Sequence, residues 1–207
     1  MTSAYVPDAR RFAPATECNR EPLLQVLAPR LPQGKGSLVL EVASGTGEHA
    51  VYLASNLPHL TWQPSDPDRA SCASIASWTQ HAGVAHVKAP LQLDATDPSW
   101  SVERADAVVC INMIHIAPYA ACEGLFRGAA SVLPPDGLLF TYGPYSIGGQ
   151  HTAPSNARFD MSLKMQNPEW GVRDIDEVKQ TAANNGFQLV ERIDMPANNM
   201  TLVWQHG

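Results

Sequence analysis

The sequence predicts an α/β domain in which helices cover both faces of a mostly parallel sheet that ends in an antiparallel strand. Short, apolar, strand-like runs alternate with helical stretches along most of the chain. Each intervening helix returns the chain to the starting edge of the sheet, so successive strands run parallel. The last two strand-like runs leave no room for a helix between them, so the final strand is predicted to run antiparallel.

The predicted elements follow in order along the chain. Strands are predicted over residues 37–42, 60–63, 86–93, 105–111 and 138–142, followed by a hairpin over 187–193 and 200–205. Helices are predicted over residues 48–57, 68–81, 118–133 and 175–185. The last helix has the clearest end signals, because Asp174 with Glu177 resembles a capping box and Gly186 can close the C-terminus. Residues 143–156 are rich in Gly, Pro and Ser and predict a long loop at the ligand-binding edge of the sheet.

Size and composition limit the class of protein. At 207 residues the chain fits one domain, in which we expect residues 1–31 to form an N-terminal lid or cap. No apolar run approaches the ~20 residues needed to cross a bilayer, and residues 1–8 lack the basic and apolar start of a secretory signal. These features predict a cytoplasmic protein with no membrane partner. The net charge of -6 argues against nucleic acid and favours a small-molecule partner.

The cysteines and histidines predict neither disulfides nor a metal site. The four cysteines show no Cys-x-x-Cys spacing, so free thiols are expected in a reducing compartment. The seven histidines lack the paired spacing with which one helix face binds a metal ion.

Residues 39–50 predict a cofactor-binding loop, because a buried strand ends there in an acid, turns through two glycines and opens a helix. Gly45 and Gly47 allow backbone angles closed to other residues and let a ligand lie directly on the main chain. The amides at the start of the helix would then face the ligand. The same pattern also occurs as a simple packing turn. The candidate cofactor-binding residues in this segment are Glu41, Ala43, Ser44, Gly45, Gly47 and His49.

Two further acids follow the next two strands. Asp66, with Pro67, lies about 20 residues after the glycines, which is the spacing expected for an acid that holds ribose hydroxyls. Asp94, with Ala95, follows the third strand and could accept a hydrogen bond from an adenine amino group. The alternative for Asp66 is an ordinary turn residue beside Asp68 as a helix cap, whereas Asp94 could equally be an ordinary loop acid. Glu41 bears on the choice of cofactor, because a carboxylate there suits the ammonium group of S-adenosylmethionine and repels a pyrophosphate.

The fourth and fifth strands end in polar and aromatic residues that are candidates for catalysis. Asn112 and Met113 are predicted to contact the cofactor, and His115 could remove a proton from the methyl acceptor or orient it. A buried, hydrogen-bonded histidine is the alternative. Tyr142 and Tyr145 could line the acceptor pocket, where an aromatic face would attract a sulfonium by about 0.5 to 2 kcal/mol, or could pack in the core.

With these residues in place, the chain resembles the methyltransferase-like protein 26 family along nearly its whole length. The matching positions are Glu17, Asn19, Arg20, 39–45, Gly47, 62–66, 87–90, Asp94, 111–113, His115, 141–145, 155–156, 167–171 and 195–199. The resemblance implies a Rossmann-like, class I S-adenosylmethionine-dependent methyltransferase fold, and it implies no particular substrate. Ala43 stands where most such enzymes have a loop glycine, so we expect a slightly more crowded loop. Cys18 stands where relatives often have Arg, which leaves Asn19 and Arg20 as the polar pair.

Residues 11–31 are interpreted as a segment that folds over the cofactor, with Arg20 within reach of its carboxylate. An amphipathic helix docked on the sheet is the alternative. The sequence therefore favours a methyltransferase that uses S-adenosylmethionine and acts on an O, N or S atom of a small molecule. A nicotinamide-dependent oxidoreductase and a non-catalytic binding module are the two rival hypotheses.

Overall fold

A computed structural model describes residues 8–207. The first seven residues of the predicted lid, which also belong to the segment expected to lack a secretory signal, lie outside the described residues. The first half of the chain alternates helices and strands: α1 (Pro14–Leu27), β1 (Leu38–Val42), α2 (Glu48–Asn56), β2 (Thr61–Asp66), α3 (Arg69–Ala82) and β3 (Leu91–Gln92). The second half continues with β4 (Ala107–Ile111), α4 (Tyr119–Val132), β5 (Leu138–Gly143), β6 (Tyr145–Ile147), β7 (Gln150–His151), α5 (Pro154–Gln166), β8 (Arg173–Asp174), α6 (Ile175–Asn184), β9 (Phe187–Met195) and β10 (Asn199–His206).

Seven of these strands form one sheet in the order β3-β2-β1-β4-β5-β10-β9. The first five strands of that order pair in parallel, and β10 pairs antiparallel with both β5 and β9. The prediction of a mostly parallel, Rossmann-like sheet with an antiparallel C-terminal strand is therefore confirmed. The order reverses between β1 and β4, which brings the loops that follow these two strands side by side at the carboxyl edge.

Apolar side chains are buried on both faces of the sheet. One core includes Phe126 of α4, Phe187 of β9 and Trp204 of β10, and Phe126 makes edge-to-face contacts with each of the other two rings. The other core lies under α1 and α2 and contains Leu23 and Trp62. Because helices seal both faces, only the edges of the sheet are left to form a site.

Two predicted boundaries need correction, and one helix was not predicted. The strand expected over 86–93 forms regular pairing only at Leu91–Gln92, because Pro90 has no amide hydrogen to donate to a ladder. The loop expected over 143–156 contains β6 and β7, joined through Gly148 and Gly149 with φ of 58° and 76°, and it runs into α5. Helix α5 was not predicted. At α6, the Asp174 carboxylate accepts a hydrogen bond from the Asp176 amide at 2.9 Å, which confirms Asp174 as the cap.

Candidate functional site

The loop after β1 has an unusual backbone that the sequence only partly explains. Ala43, Gly45 and Gly47 all have left-handed φ angles, of 57°, 58° and 90°. Gly47 cannot carry a side chain, because a Cβ atom there would lie 2.7 Å from the Cα of Ile75 in α3. Ala43 adopts the same region with a Cβ, which costs roughly 1–2 kcal/mol for an L-residue. The crowded loop predicted at Ala43 is thus a strained turn.

Asp66 fixes this loop from the end of β2. Its carboxylate accepts the Gly45 amide at 2.9 Å through Oδ2 and the Asp68 amide at 3.0 Å through Oδ1. Burial raises the pKa of Asp66, and the two amides oppose that shift. Asp66 therefore holds the glycine loop in shape, and its predicted contact with ribose hydroxyls stays a prediction.

A cleft of about 340 Å³ lies on one side of Ala43, between the loops that follow β1, β3 and β4. We call it the apolar cavity. Its one acid is Asp94, whose exposed carboxylate accepts hydrogen bonds from the amide and hydroxyl of Thr96 at 2.8 and 2.7 Å. The cavity brings together five of the predicted residues, which are Ala43, Pro67, Asp94, Ala95 and Met113. The other lining residues, including Leu93 and Pro118, give it an almost wholly apolar surface.

A second cleft of about 190 Å³ lies on the other side of Ala43. We call it the polar cavity. The glycine loop and β4 line it together with the start of α1, which contributes Ala13, Ala15 and Thr16. It brings together the predicted residues Glu41, Ala43, Ser44, Gly45, His49 and Asn112. Because Ala43 lines both cavities, the two adjoin at the carboxyl edge of the sheet, and together we call them the cleft.

Glu41 is the buried acid of the polar cavity, with an exposed fraction of 1%. Its Oε2 accepts the indole N–H of Trp62 at 2.7 Å. Burial raises the pKa of Glu41 to about 8, against the lowering effect of that hydrogen bond. In the free protein at pH 7 the carboxyl group is thus mostly protonated, and a nearby cation would ionise it.

The start of α1 is held against the glycine loop. Glu48, at the beginning of α2, accepts the Ala13 amide at 2.6 Å and the Thr46 hydroxyl at 2.9 Å. Farther along α1, Leu23 and Leu27 are buried in the core. One end of α1 therefore borders the cleft, and the other end docks on the sheet as the amphipathic-helix interpretation expects. Folding of this segment over a cofactor stays a prediction. Thr16 was missed, although it lies one helical turn before Asn19 on the same face.

Arg20 does not lie in either cavity. Its guanidinium stacks over the ring of Tyr52 at 4.8 Å from the centroid and borders a small groove that also contains Glu48 and Trp78. Asn19, by contrast, is buried, and its Oδ1 lies 2.7 Å from His49 Nε2. The structure therefore separates the polar pair that the sequence suggested.

The predicted catalytic residues are buried beside the cleft. His115 and Tyr145 are fully buried and pack edge to face at 4.9 Å, and neither lines the two cavities. His115 Nδ1 accepts the Arg173 amide at 3.3 Å, and Nε2 has no hydrogen-bond partner among residues 8–207. Burial lowers the pKa of His115 to about 3, and the Arg173 guanidinium contributes. The position gives no support to a role as general base, which stays a prediction.

Tyr142 is also buried, but it belongs to a chain of polar side chains that reaches the polar cavity. Its hydroxyl accepts a hydrogen bond from Asn199 Nδ2 at 2.9 Å, and the nearby Asn19 side chain, which lies 2.7 Å from His49 Nε2, lowers the pKa of Tyr142 against the effect of burial. Asn199, on the turn that opens β10, was not among the predicted site residues. Only the antiparallel pairing of β10 with β5 brings it there.

The cysteines, possible metal ligands and long helices of residues 8–207 were the remaining features that could indicate a disulfide, a metal site or a membrane span. Cys18, Cys72, Cys110 and Cys122 are free thiols. Within residues 8–207, no group of three or more His, Cys, Asp or Glu side chains could hold a metal ion. In the same part of the chain, no helix combines the length and apolar character that crossing a membrane requires.

Solved structures with the same fold include several methyltransferases. The mitomycin 7-O-methyltransferase MmcR has a TM-score of 0.78 at 14% identity, covering 92% of this chain and 54% of that one. CalO1, a methyltransferase in calicheamicin biosynthesis with SAH bound, has a TM-score of 0.76 at 14% identity, covering 93% and 54%. An O-methyltransferase family 2 protein from Planctomyces limnophilus, in complex with apigenin, has a TM-score of 0.72 at 21% identity, covering 92% and 62%.

At these identities the likeness establishes the fold, and this chain spans little more than half the length of the proteins it matches. The sequence itself matches a family model over residues 10–206, which is nearly the whole chain. The chain therefore belongs to the family described as "Protein of unknown function (DUF938)".

Proposed function

We propose that this protein is an S-adenosylmethionine-dependent methyltransferase that acts on an O, N or S atom of a small molecule. The observation that carries the proposal is the two-part cleft on either side of Ala43, with an apolar cavity beside Asp94 and a polar cavity beside Glu41. Such a cleft suits a ligand with a flat aromatic base at one end and an amino acid at the other. The resemblance to the methyltransferase-like protein 26 family and the methyltransferases that share the fold support the same conclusion.

The residues of the cleft fit this cofactor by their chemistry. The apolar cavity would hold the adenine, with the Asp94 carboxylate available to its amino group. Asp66, at the end of β2, would accept ribose hydroxyls through the lone pairs that the Gly45 and Asp68 amides leave free. The amides at the start of α2 would meet the carboxylate of the amino acid, and Glu41 would face its ammonium group.

The same cleft disfavours a nicotinamide cofactor. Neither lysine nor arginine lines the two cavities in the described part of the chain, so no side-chain cation is available for a pyrophosphate. Glu41, once ionised, would repel one at short range. The oxidoreductase hypothesis is therefore the weaker of the two enzyme hypotheses.

When bound, S-adenosylmethionine supplies an electrophilic methyl group. The contribution of this chain would be to align the acceptor and to exclude water, since alignment alone can supply much of the rate enhancement. Asn112 and Ile116, which border the polar cavity after β4, are the residues we expect to contact the acceptor. Ile116 is 44% exposed, so this border is open to an incoming small molecule.

Calorimetric titration with S-adenosylhomocysteine and, separately, with NADH tests the proposal. We expect micromolar binding of S-adenosylhomocysteine and no binding of NADH. Asp94→Ala removes the adenine contact at an exposed position and should weaken binding about tenfold, while Glu103→Ala, at another exposed acid that lines neither cavity, serves as the control. Binding of NADH with no binding of S-adenosylhomocysteine would replace the proposal with the oxidoreductase hypothesis. Binding without turnover on a broad panel of small nucleophiles would favour a non-catalytic module.

A further inference from the structure

His49 lies at one end of a chain of polar side chains that come from four elements of the fold. His49 lies in the first turn of α2, Asn19 in α1, Tyr142 at the end of β5, and Asn199 at the start of β10. His49 Nε2 lies 2.7 Å from Asn19 Oδ1, and Asn199 Nδ2 donates to the Tyr142 hydroxyl at 2.9 Å. The Asn19 side chain lies close enough to that hydroxyl to lower the pKa of Tyr142 against the raising effect of burial. Asn19 and Tyr142 are buried, with exposed fractions of 8% and 3%, so the chain is shielded from competing water.

The chain determines which nitrogen of His49 carries the hydrogen. The oxygen of Asn19 can only accept, so Nε2 must donate, and in a neutral imidazole the lone pair then lies on Nδ1. Burial keeps the ring neutral by lowering the pKa of His49 to about 4, with the Arg20 guanidinium as a smaller cause. Among residues 8–207, no group hydrogen-bonds Nδ1, and the ring lines the polar cavity. His49 therefore offers the cavity a fixed hydrogen-bond acceptor.

The other charged or amide groups of the polar cavity can also accept hydrogen bonds. Glu41 lines it with a carboxyl group of which only Oε2 has a partner among the described residues. Asn112 adds an amide, and no described lysine or arginine lines the cavity. A primary ammonium group would ionise Glu41, and the resulting carboxylate and the imidazole lone pair would complement its three donors and its positive charge.

We propose that His49 Nδ1 accepts a hydrogen bond from the primary amine of the bound ligand, and that Asn19 and Tyr142 are the positioning residues that keep His49 in the accepting tautomer. The proposal rests on the proposed function, because the amine would be that of the amino-acid end of S-adenosylmethionine. It assigns to His49 the recognition of an amine, and to residues of α1 and β5 the control of that recognition.

Two probes separate this proposal from the proposed function. They are S-adenosylhomocysteine and its deaminated analogue, which keeps the adenosine, the thioether and the carboxylate. In the wild-type protein we expect the amine to improve binding about tenfold, as a charge-assisted hydrogen bond does. His49→Phe keeps a ring in the buried site and should reduce that preference to about twofold or less, with the affinity for the deaminated analogue unchanged. His49→Gln, whose side-chain oxygen can accept, should restore part of the preference.

The positioning role is tested without disturbing His49 itself. Tyr142→Phe removes only the hydroxyl that lies beside Asn19, and it should weaken the binding of S-adenosylhomocysteine about threefold while changing the affinity for the deaminated analogue less. The ¹⁵N chemical shifts of the histidine rings should show His49 with a protonated Nε2 in wild type and a mixture of tautomers in Tyr142→Phe. A merely structural role would weaken both probes equally and leave the tautomer unchanged.

Three results would overturn the proposal. One is an unchanged preference for the amine in His49→Phe, and another is a protonated Nδ1 in the wild-type protein. Both leave the proposed function standing, provided that wild type binds S-adenosylhomocysteine. Failure of the wild-type protein to bind either probe would remove the proposed function together with this inference.

Discussion

The amide of Gly45 donates a hydrogen bond to the Asp66 carboxylate at 2.9 Å, so the end of β2 determines the shape of the loop after β1. These residues are 21 positions apart and meet only because the two strands are parallel neighbours. The acid that is predicted to bind the cofactor is thus also a structural part of the loop that surrounds it.

Replacing Asp66 should therefore affect stability and binding together. Asp66→Asn loses one of two charge-assisted bonds to buried amides, and we expect it to lower the free energy of unfolding by about 1–2 kcal/mol and to weaken S-adenosylhomocysteine at least about tenfold. Chemical denaturation and calorimetry measure the two effects. Asp68→Asn, at the exposed cap of α3, is the control and should leave the affinity unchanged. Equal losses of affinity in both variants would contradict a specific role for Asp66.

Ala43→Gly should stabilise the protein. Glycine adopts the left-handed φ of 57° without the strain of a Cβ, and we expect a gain of about 0.5–1 kcal/mol after the entropy of the unfolded chain is subtracted. The same substitution at Ala50, inside α2, should instead destabilise by about 1 kcal/mol or more. Urea denaturation compares the two variants. A destabilised Ala43→Gly would show that the methyl group contributes more through packing than it costs in strain.

Glu41 should make stability depend on pH in an unusual window. Its pKa is about 8 in the folded protein and near 4.5 in the unfolded chain, so the folded state binds the proton more tightly. The contribution of Glu41 to the free energy of unfolding is fully present below the pKa of the unfolded chain. It is lost as the pH rises from about 4.5 to about 8, at no more than about 1.4 kcal/mol per pH unit.

Glu41→Gln keeps an acceptor for the Trp62 indole and removes the titration. We expect the free energy of unfolding of this variant to fall less steeply than that of wild type over the same pH range. Denaturation at four or five pH values between 5 and 8.5, roughly spanning the window, measures the difference. Parallel curves for the two proteins would mean that Glu41 does not carry the shift.

His115→Gln distinguishes a catalytic from a structural histidine. Glutamine retains an acceptor for the Arg173 amide but leaves the packing against Tyr145 incomplete, so we expect a loss of about 1–3 kcal/mol in stability and an affinity for S-adenosylhomocysteine within about twofold of wild type. Because the ring lies outside both cavities, turnover should change little. If turnover instead falls tenfold or more, with unchanged affinity and a fully folded protein, His115 acts as the general base that removes the proton of the acceptor.

The sheet could be predicted from the sequence because each strand and helix has a pattern that lies within one short stretch of the chain. Apolar runs separated by helices imply parallel strands, and a hairpin without a crossover implies the antiparallel end. Helix α5 escaped prediction because its apolar residues do not line one face: Phe159, Met161 and Met165 are exposed while Asn156 and Asp160 are buried. Of the three side chains that α5 buries, Asn156 and Asp160 are polar and only Leu163 is apolar, so hydrophobic periodicity gave no signal.

Some residues of the site could likewise be predicted from the sequence, and others could not. Glu41, Asp66 and Asp94 lie at or just past the carboxyl ends of consecutive strands, so their order along the chain already places them at one edge. The direction of His115 could not be inferred, because Asn112 takes a left-handed φ of 62° and turns the next residues beneath the edge. The link between His49, Asn19 and Tyr142 depends on the packing of α1 against α2, which no spacing in the sequence reports.

A crystal structure of the protein grown with S-adenosylhomocysteine would show directly whether the cleft binds this cofactor and in which direction. We expect the adenine in the apolar cavity beside Asp94, the ribose at Asp66, and the amine in the polar cavity between Glu41 and His49. A ligand bound elsewhere, or one whose two ends do not lie on opposite sides of Ala43, would contradict this expectation.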